Sequence, residues 1–261
     1  MPARSKSQLL RSTLVLCGLL AAATRAHAAD WEWTLVPYLW GAGIAMDVSV
    51  NDEPVFGADI AFDDLLDKLE FGALVHFEGR RGKAGLFLDL VYLDVGASQV
   101  TVARPTLPGG TRADTDMSTV LFELGGFYRL SGDTSGLDLL FGARAIDVDM
   151  TLDISLPPPL TATTQVSESD TFTDAFAGLR YQAPLGDRWS FIVRGDAGAG
   201  ETELAWNAHA LVGYNVGNQK QNAVYFGYRH MEIEFKDSDN SASVEADLTM
   251  SGPVMGFAFR F

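Results

Sequence analysis

Met250-Ser251-Gly252-Pro253-Val254-Met255-Gly256-Phe257-Ala258-Phe259-Arg260-Phe261 closes the chain, and it alternates strictly. Met255, Phe257, Phe259 and Phe261 fall on one side of an extended strand, and Gly256, Ala258 and Arg260 on the other, because a strand repeats its side-chain direction every two residues. An apolar row that runs to the last residue suits a strand whose outer face meets lipid and whose inner face does not. The terminal strand therefore predicts a transmembrane β-barrel.

The same rhythm recurs upstream. Working back from Ser243–Phe261, strands are predicted at Val224–Phe235, Leu204–Val216, Trp189–Gly198, Thr171–Pro184, Leu137–Ser155, Thr115–Leu130, Gly85–Val102, Phe71–Gly79 and Trp31–Val50. That is ten strands in one antiparallel barrel, an even number, as expected when both ends of the chain lie on the periplasmic side. Eight is the alternative if the Gly198–Glu203 tip is not a hairpin. Short turns at Arg80–Lys83, Ser131–Gly136, Gly186–Asp187 and Gly217–Asn222 alternate with longer connections, among them the proline-rich Arg104–Ala113 and the run Pro157-Pro158-Pro159. The first strand is rich in aromatics (Trp31, Trp33, Tyr38, Trp40), which suits the lipid–water boundary.

Residues 1–28 read as a removable signal peptide. Arg4, Lys6 and Arg11 precede a short apolar run, Leu14 to Ala23, and Ala26-His27-Ala28 offers an A-x-A cleavage site. Removal would take away Cys17, the one cysteine, and four basic residues with no acidic one, so the net charge falls from −15 to −19. A chain so acidic is a poor partner for nucleic acid, which needs a basic face. The domain reading is a signal peptide, 1–28, and one outer-membrane barrel domain, 29–261.

On this register the inward face carries His76, Glu78, Asp89, Glu123, Arg144, Asp174, Arg180, Arg194, Asp196, His209, Arg229 and Arg260. A charge on the lipid face at mid-membrane costs roughly 2–4 kcal/mol, so these residues belong inside. Acids and arginines facing one another across a narrow lumen should pair, because unpaired buried charge is costly. The expectation is a salt-bridged interior, structural or forming a narrow, largely occluded pore.

Chemistry is weakly represented. The residues after position 28 hold only His76, His209 and His230, and no G-x-S-x-G nucleophile motif occurs. His230 near Glu232 and Glu234 leaves a rim hydrolase as an alternative function. A soluble secreted barrel binding an apolar ligand is another. Acidic outer segments carry no D-x-[DN]-x-[DN]-G loop, and neither a metal nor a cofactor is expected. One segment has a different texture: Phe62, Leu65, Leu66 and Leu69 recur at i, i+3, i+4 and i+7 among Asp63, Asp64, Asp67 and Lys68. This predicts a short amphipathic helix in the first outer loop, which either caps the rim or folds inward as a plug.

Several motifs resemble a family of uncharacterised Gram-negative outer-membrane β-barrel proteins: Trp31-x-Trp33-x-x-x-Pro37-Tyr38-Leu39-Trp40, Phe62-Asp63-Asp64-Leu65-Leu66-Asp67, His76-Phe77-Glu78, Gly85-Leu86-Phe87-x-Asp89-Leu90-x-Tyr92-Leu93, Gly227-Tyr228-Arg229 and the terminal Gly252-Pro253-Val254-x-Gly256-x-x-x-Arg260-Phe261. The resemblance implies a barrel in the outer membrane and no catalytic residues. It also implies that Met255, Phe257, Phe259 and Phe261 form the signal read by the barrel-assembly machinery. Expected partners are outer-membrane lipid and lipopolysaccharide, that machinery during biogenesis, and at most a small solute, with the protein monomeric.

Overall fold

The computed structural model describes residues 31–51, 53–60, 62–63, 69–100, 112–132, 135–155, 163–217, 221–239 and 242–261. Twelve strands form one antiparallel sheet: β1 (Glu32–Trp40), β2 (Gly43–Val50), β3 (Glu53–Ile60), β4 (Leu69–Arg81), β5 (Ala84–Val100), β6 (Arg112–Ser131), β7 (Gly136–Ser155), β8 (Thr163–Pro184), β9 (Trp189–Gly200), β10 (Leu204–Val216), β11 (Asn222–Asp239) and β12 (Ala242–Arg260). β4 to β12 pair in sequence order, and β1 pairs with both β4 and β12, which closes a ten-stranded barrel. The closing seam matches Thr34 with Arg260 and Trp40 with Val254, and the amides of Trp33 and Phe261 each donate to the other's carbonyl. Closure leaves the barrel no free edge.

The β9–β10 connection is a true hairpin, so the eight-stranded alternative falls. The predicted first strand, Trp31–Val50, is two strands. It breaks at Gly41 and Ala42, and both halves lie along β12, β1 from Val254 onward and β2 from Ser251 back to Val244. β2 then turns at Asn51 (φ 51°) into β3, a strand the alternation did not signal. Asparagine tolerates that left-handed backbone better than most residues. The β2–β3 hairpin thus extends the wall beyond the closed part of the barrel. Of the predicted amphipathic helix, Phe62 and Asp63 have helical backbone, and residues 64–68 lie outside the described residues, as do 1–30 with the expected signal peptide.

The outer surface explains the setting. Leu39, Leu124, Phe141, Leu179, Phe226, Tyr228, Met255 and Phe259 are all more than two-fifths exposed. On β12 every outward residue from Pro253 to Phe261 is apolar. Tyr128, Tyr181, Trp189 and Tyr214 lie toward the tight-turn end, where amphipathic rings suit the headgroup level. Outward charge begins at the opposite end, with Asp47, Asp94, Asp147, Glu232 and Asp247. Among the described residues no helix is long and apolar enough to cross a membrane; the crossing is made by strands. β6, β7 and β8 run for 20, 20 and 22 residues, about twice the 9–11 needed to span, so the wall continues well past the apolar belt.

Inside, two apolar clusters fill much of the lumen. Phe87, Phe127, Leu140 and Phe176 form one. The other, nearer the long-loop end, joins Trp40, Ala42, Ile44, Val91, Leu121, Ile146, Ala205, Met231, Ile233, Leu248, Met250 and Val254. Trp40 and Tyr38 therefore face the lumen and not the lipid boundary predicted for them. The seam's parity dictates this, since Leu39 between them is 66% exposed.

Candidate functional site: a lumen crossed by paired charges

Between and around these clusters lies a continuous network of charge. At its centre Glu123, fully buried, accepts from Arg144 Nε (2.9 Å) and Nη2 (2.7 Å) and from Arg194 Nη2 (2.8 Å). Asp196 bridges the same two arginines, at 2.5 Å from Arg144 Nη2 and 2.7 Å from Arg194 Nε. Both carboxylate oxygens of each acid are thus engaged, the arrangement that makes burial of such pairs tolerable. Asn207 donates to Asp196 (3.0 Å) and accepts from Arg229 Nε (2.8 Å). Arg229 reaches on to Tyr38 Oη (3.2 Å) and to Asp89 (3.6 Å), and Tyr38 donates to Asp89 (2.8 Å).

His76 links this upper group to a lower one. Its Nδ1 lies 3.1 Å from Asp89 and its Nε2 3.7 Å from Glu78. Arg180 binds Glu78 and, at 3.0 Å, Asp138. Asp138, fully buried, also receives Arg129, and Arg80 at 3.4 Å. The arginines stack on the apolar clusters as well as pairing with acids. Arg180 and Arg80 lie over Phe127 at 4.7 and 4.8 Å, Arg144 over Phe176 and Arg194 over Phe87 at 5.1 Å, and Arg229 over Trp40 at 4.6 Å. A desolvated cation–ring contact is worth about 0.5–2 kcal/mol, so rings and charges hold each other in place.

Of the residues the alternation places inward, His76, Glu78, Asp89, Glu123, Arg144, Arg180, Arg194, Asp196 and Arg229 come together in this network. Asp174 stands apart: it accepts from Thr202 N (3.0 Å) and Thr202 Oγ1 (2.7 Å) and so holds the β9–β10 tip. Arg260 sits near the chain's end, donating to Asn215 Oδ1 (2.9 Å) and Tyr225 Oη (2.8 Å). His209 faces the lumen between Arg194 and Arg229 in register, with no hydrogen-bond or ion-pair partner among the described residues. Sequence reasoning misses Arg80, Arg129, Asp138, Tyr38 and Asn207. Arg129 and Asp138 share the parity of Glu123 and Arg144 on their own strands, so the signal was there; Arg80 is disguised by the turn it adjoins. Phe62, the one apolar residue of the segment whose side chain is described, is 39% exposed and lies beside Gly41. His230 faces outward, its Nε2 3.7 Å from Glu232 and its ring tilted against Trp206 at 4.6 Å between centroids.

A closed ten-stranded barrel with an exposed apolar belt and charges turned inward is an outer-membrane β-barrel, and that membrane is its place. Among solved structures, the outer membrane protease OmpT from Escherichia coli matches with a TM-score of 0.52 at 11% identity, over 90% of this chain and 98% of that one. The translocator domain of autotransporter NalP from Neisseria meningitidis matches at 0.41 and 12% over 98% of each chain. The attachment invasion locus protein Ail of Yersinia pestis matches at 0.34 and 11%, over 89% of this chain and 99% of that one. The likeness to OmpT concerns the fold alone. No family model and no curated protein matches the sequence.

Proposed function

We propose that the protein is a structural outer-membrane barrel whose lumen is occluded to solutes. The observation that carries this reading is the double seal: the arginine–carboxylate network, with Glu123, Asp138 and Arg144 fully buried, and the apolar cluster of Trp40, Leu121, Ile146, Met231 and Ile233 packed beyond it. An ion crossing the lumen must displace groups already satisfied by one another and then pass an unhydrated layer, each of which costs several kcal/mol. In this reading the partners are outer-membrane lipid and lipopolysaccharide, with the terminal aromatic row serving assembly.

Planar-bilayer recording tests it. The native protein is expected to show no steady conductance above the bare bilayer. A variant with Ile233→Ser and Met231→Ser, which wets the apolar layer, is expected to leak only when Glu123 is also replaced by alanine. Regular, ion-selective openings of the native protein would replace the occluded barrel by a pore.

A further inference from the structure

The two clusters and the network leave one side of the lumen open. A cavity of about 600 Å³ runs from the tight-turn end inward to Tyr38 and Arg229. Its mouth is set by Glu32, Gln221, Arg260 and Phe261, residues at strand ends beside the short turns and the chain terminus. Short turns and both chain ends mark the periplasmic side of such barrels, so the cavity opens toward the periplasm while the opposite end is sealed. One wall is apolar, with Val36, Ile192, Leu211 and Val254. Gly256 lets β12 pack closely on β1 at this wall: a Cβ on it would lie 2.9 Å from Tyr38 Cβ and 3.0 Å from Val36 Cγ1.

Two polar groups in this cavity are unlike the rest. Six of the seven lumen arginines lie within 4.0 Å of a carboxylate. The seventh, Arg260, has only the neutral oxygens of Asn215 and Tyr225, and no carboxylate within ion-pair reach among the described residues. His209, deeper in the same cavity, has no polar partner among them. The lumen thus keeps one arginine with no carboxylate within 4.0 Å among the described residues, at the entrance to a volume typical of small-molecule sites, with Glu32 on the same rim.

We propose that this cavity is a periplasm-facing binding site for a small organic monoanion with an apolar body. The anionic head pairs with Arg260, the body lies along Val36, Ile192, Leu211 and Val254, and His209 meets a polar group at the inner end. Specificity for the anion follows from the charge-assisted bond that Arg260 has yet to make: a neutral analogue leaves it with Asn215 and Tyr225, and a cation gains nothing from it. This goes beyond the occluded-barrel reading and stands or falls separately, since a dead-end site needs no conduction.

The test is ligand-observed ¹⁹F NMR with the protein folded in lipid nanodiscs and 4-fluorobenzoate as the probe, against 4-fluorobenzyl alcohol and 4-fluorobenzylamine. Saturable broadening by the acid is expected, with affinity about tenfold weaker for the alcohol, the amine and the Arg260→Gln variant, the size of one charge-assisted hydrogen bond. Leu211→Trp, which fills the wall, is expected to abolish binding; if it does not fold, as judged by the heat-dependent gel shift of barrels, Ile192→Trp makes the same test. The proposal is overturned if the native protein shows no saturable binding, if alcohol and acid bind equally, or if a folded, filled variant binds as before.

Discussion

Glu123 shows what a single lumen residue does. It is fully buried and faces Arg144 and Arg194 at hydrogen-bond distance, with Arg229 4.0 Å away. Replacing it by alanine leaves three guanidinium groups with less opposing charge in a space without bulk water. The penalty for orphaning a buried charge is about 3–5 kcal/mol, and the temperature at which the folded band disappears on unheated-versus-heated gels is expected to drop accordingly. Pairing Glu123→Leu with Arg144→Met removes both members of the Glu123–Arg144 pair and should recover most of the loss, because the apolar pair forgoes the desolvation cost. A double variant no more stable than Glu123→Ala would mean that the remaining arginines, not the pair, set the energy. Parity made this residue legible: Glu123 lies opposite Arg144 in register, and each was placed inward from alternation alone. The sealing layer was hidden by residue type. Leu121, Ile146 and Met231 lie two residues beyond Glu123, Arg144 and Arg229 and share their inward direction, but an apolar residue does not announce which face it takes when both faces can be apolar.

At the scale of elements, the β9–β10 tip and the first strand carry the lesson. The tip is short, Glu201 to Glu203, and its order rests on neighbours from β8. Asp174, 1% exposed, takes both the amide and the hydroxyl of Thr202, and Glu201 accepts from Thr173 N at 2.6 Å. Asp174→Ala is expected to free the tip, at a cost of about 1–3 kcal/mol for the lost bonds to a charged acceptor. A glutamate-specific protease should then cut at Glu201 or Glu203 in the folded variant while sparing the parent. Equal resistance would show that the hairpin hydrogen bonds suffice. Alternation points Asp174 inward, yet it says only which way a side chain points, and the partner comes from a chain reversal whose geometry no period encodes. The same limit explains β1 and β2. Both halves obey one alternation, so Trp31–Val50 reads as a single strand, and only pairing along β12 on either side of Pro253 exposes the break. In the lower lumen, glycines decide what the rings can do. Gly125 and Gly142 face each other in register beneath Phe87 and Phe176, where an added Cβ would come within 2.6 Å and 2.9 Å of those rings.

Across the whole molecule, charge is sorted by face. Arginines and their acids fill the lumen, the belt is uncharged, and acids crowd the outward face of the wall beyond it, where Asp47 pairs in register with Asp247 and Asp247 with Glu234. This sorting was readable from composition only as a net charge; its division between faces depends on register. Asp247, six residues beyond the start of the apolar belt on β12, has its carboxyl held above the usual aspartate range, first by partial burial and then by Glu232, Glu245 and Asp47. A carboxyl with a raised value in the folded state binds its proton more tightly there than when unfolded. Its ionised form therefore opposes folding, and the cost is full at neutral pH, shrinks as pH falls through the raised value and vanishes below the unfolded value near 3.9. Asp247→Asn should accordingly stabilise the protein at pH 7 in low salt. Because the site is exposed, the gain is on the order of a few tenths of a kcal/mol. It should vanish at pH 3, below the unfolded value, and be smaller at pH 7 in about 0.5 M salt, where like charges on the outer wall are screened. Thermal midpoints of parent and variant, compared at each condition, read the effect. A gain that persists undiminished at pH 3 and in high salt would assign it to packing and not to the acidic face.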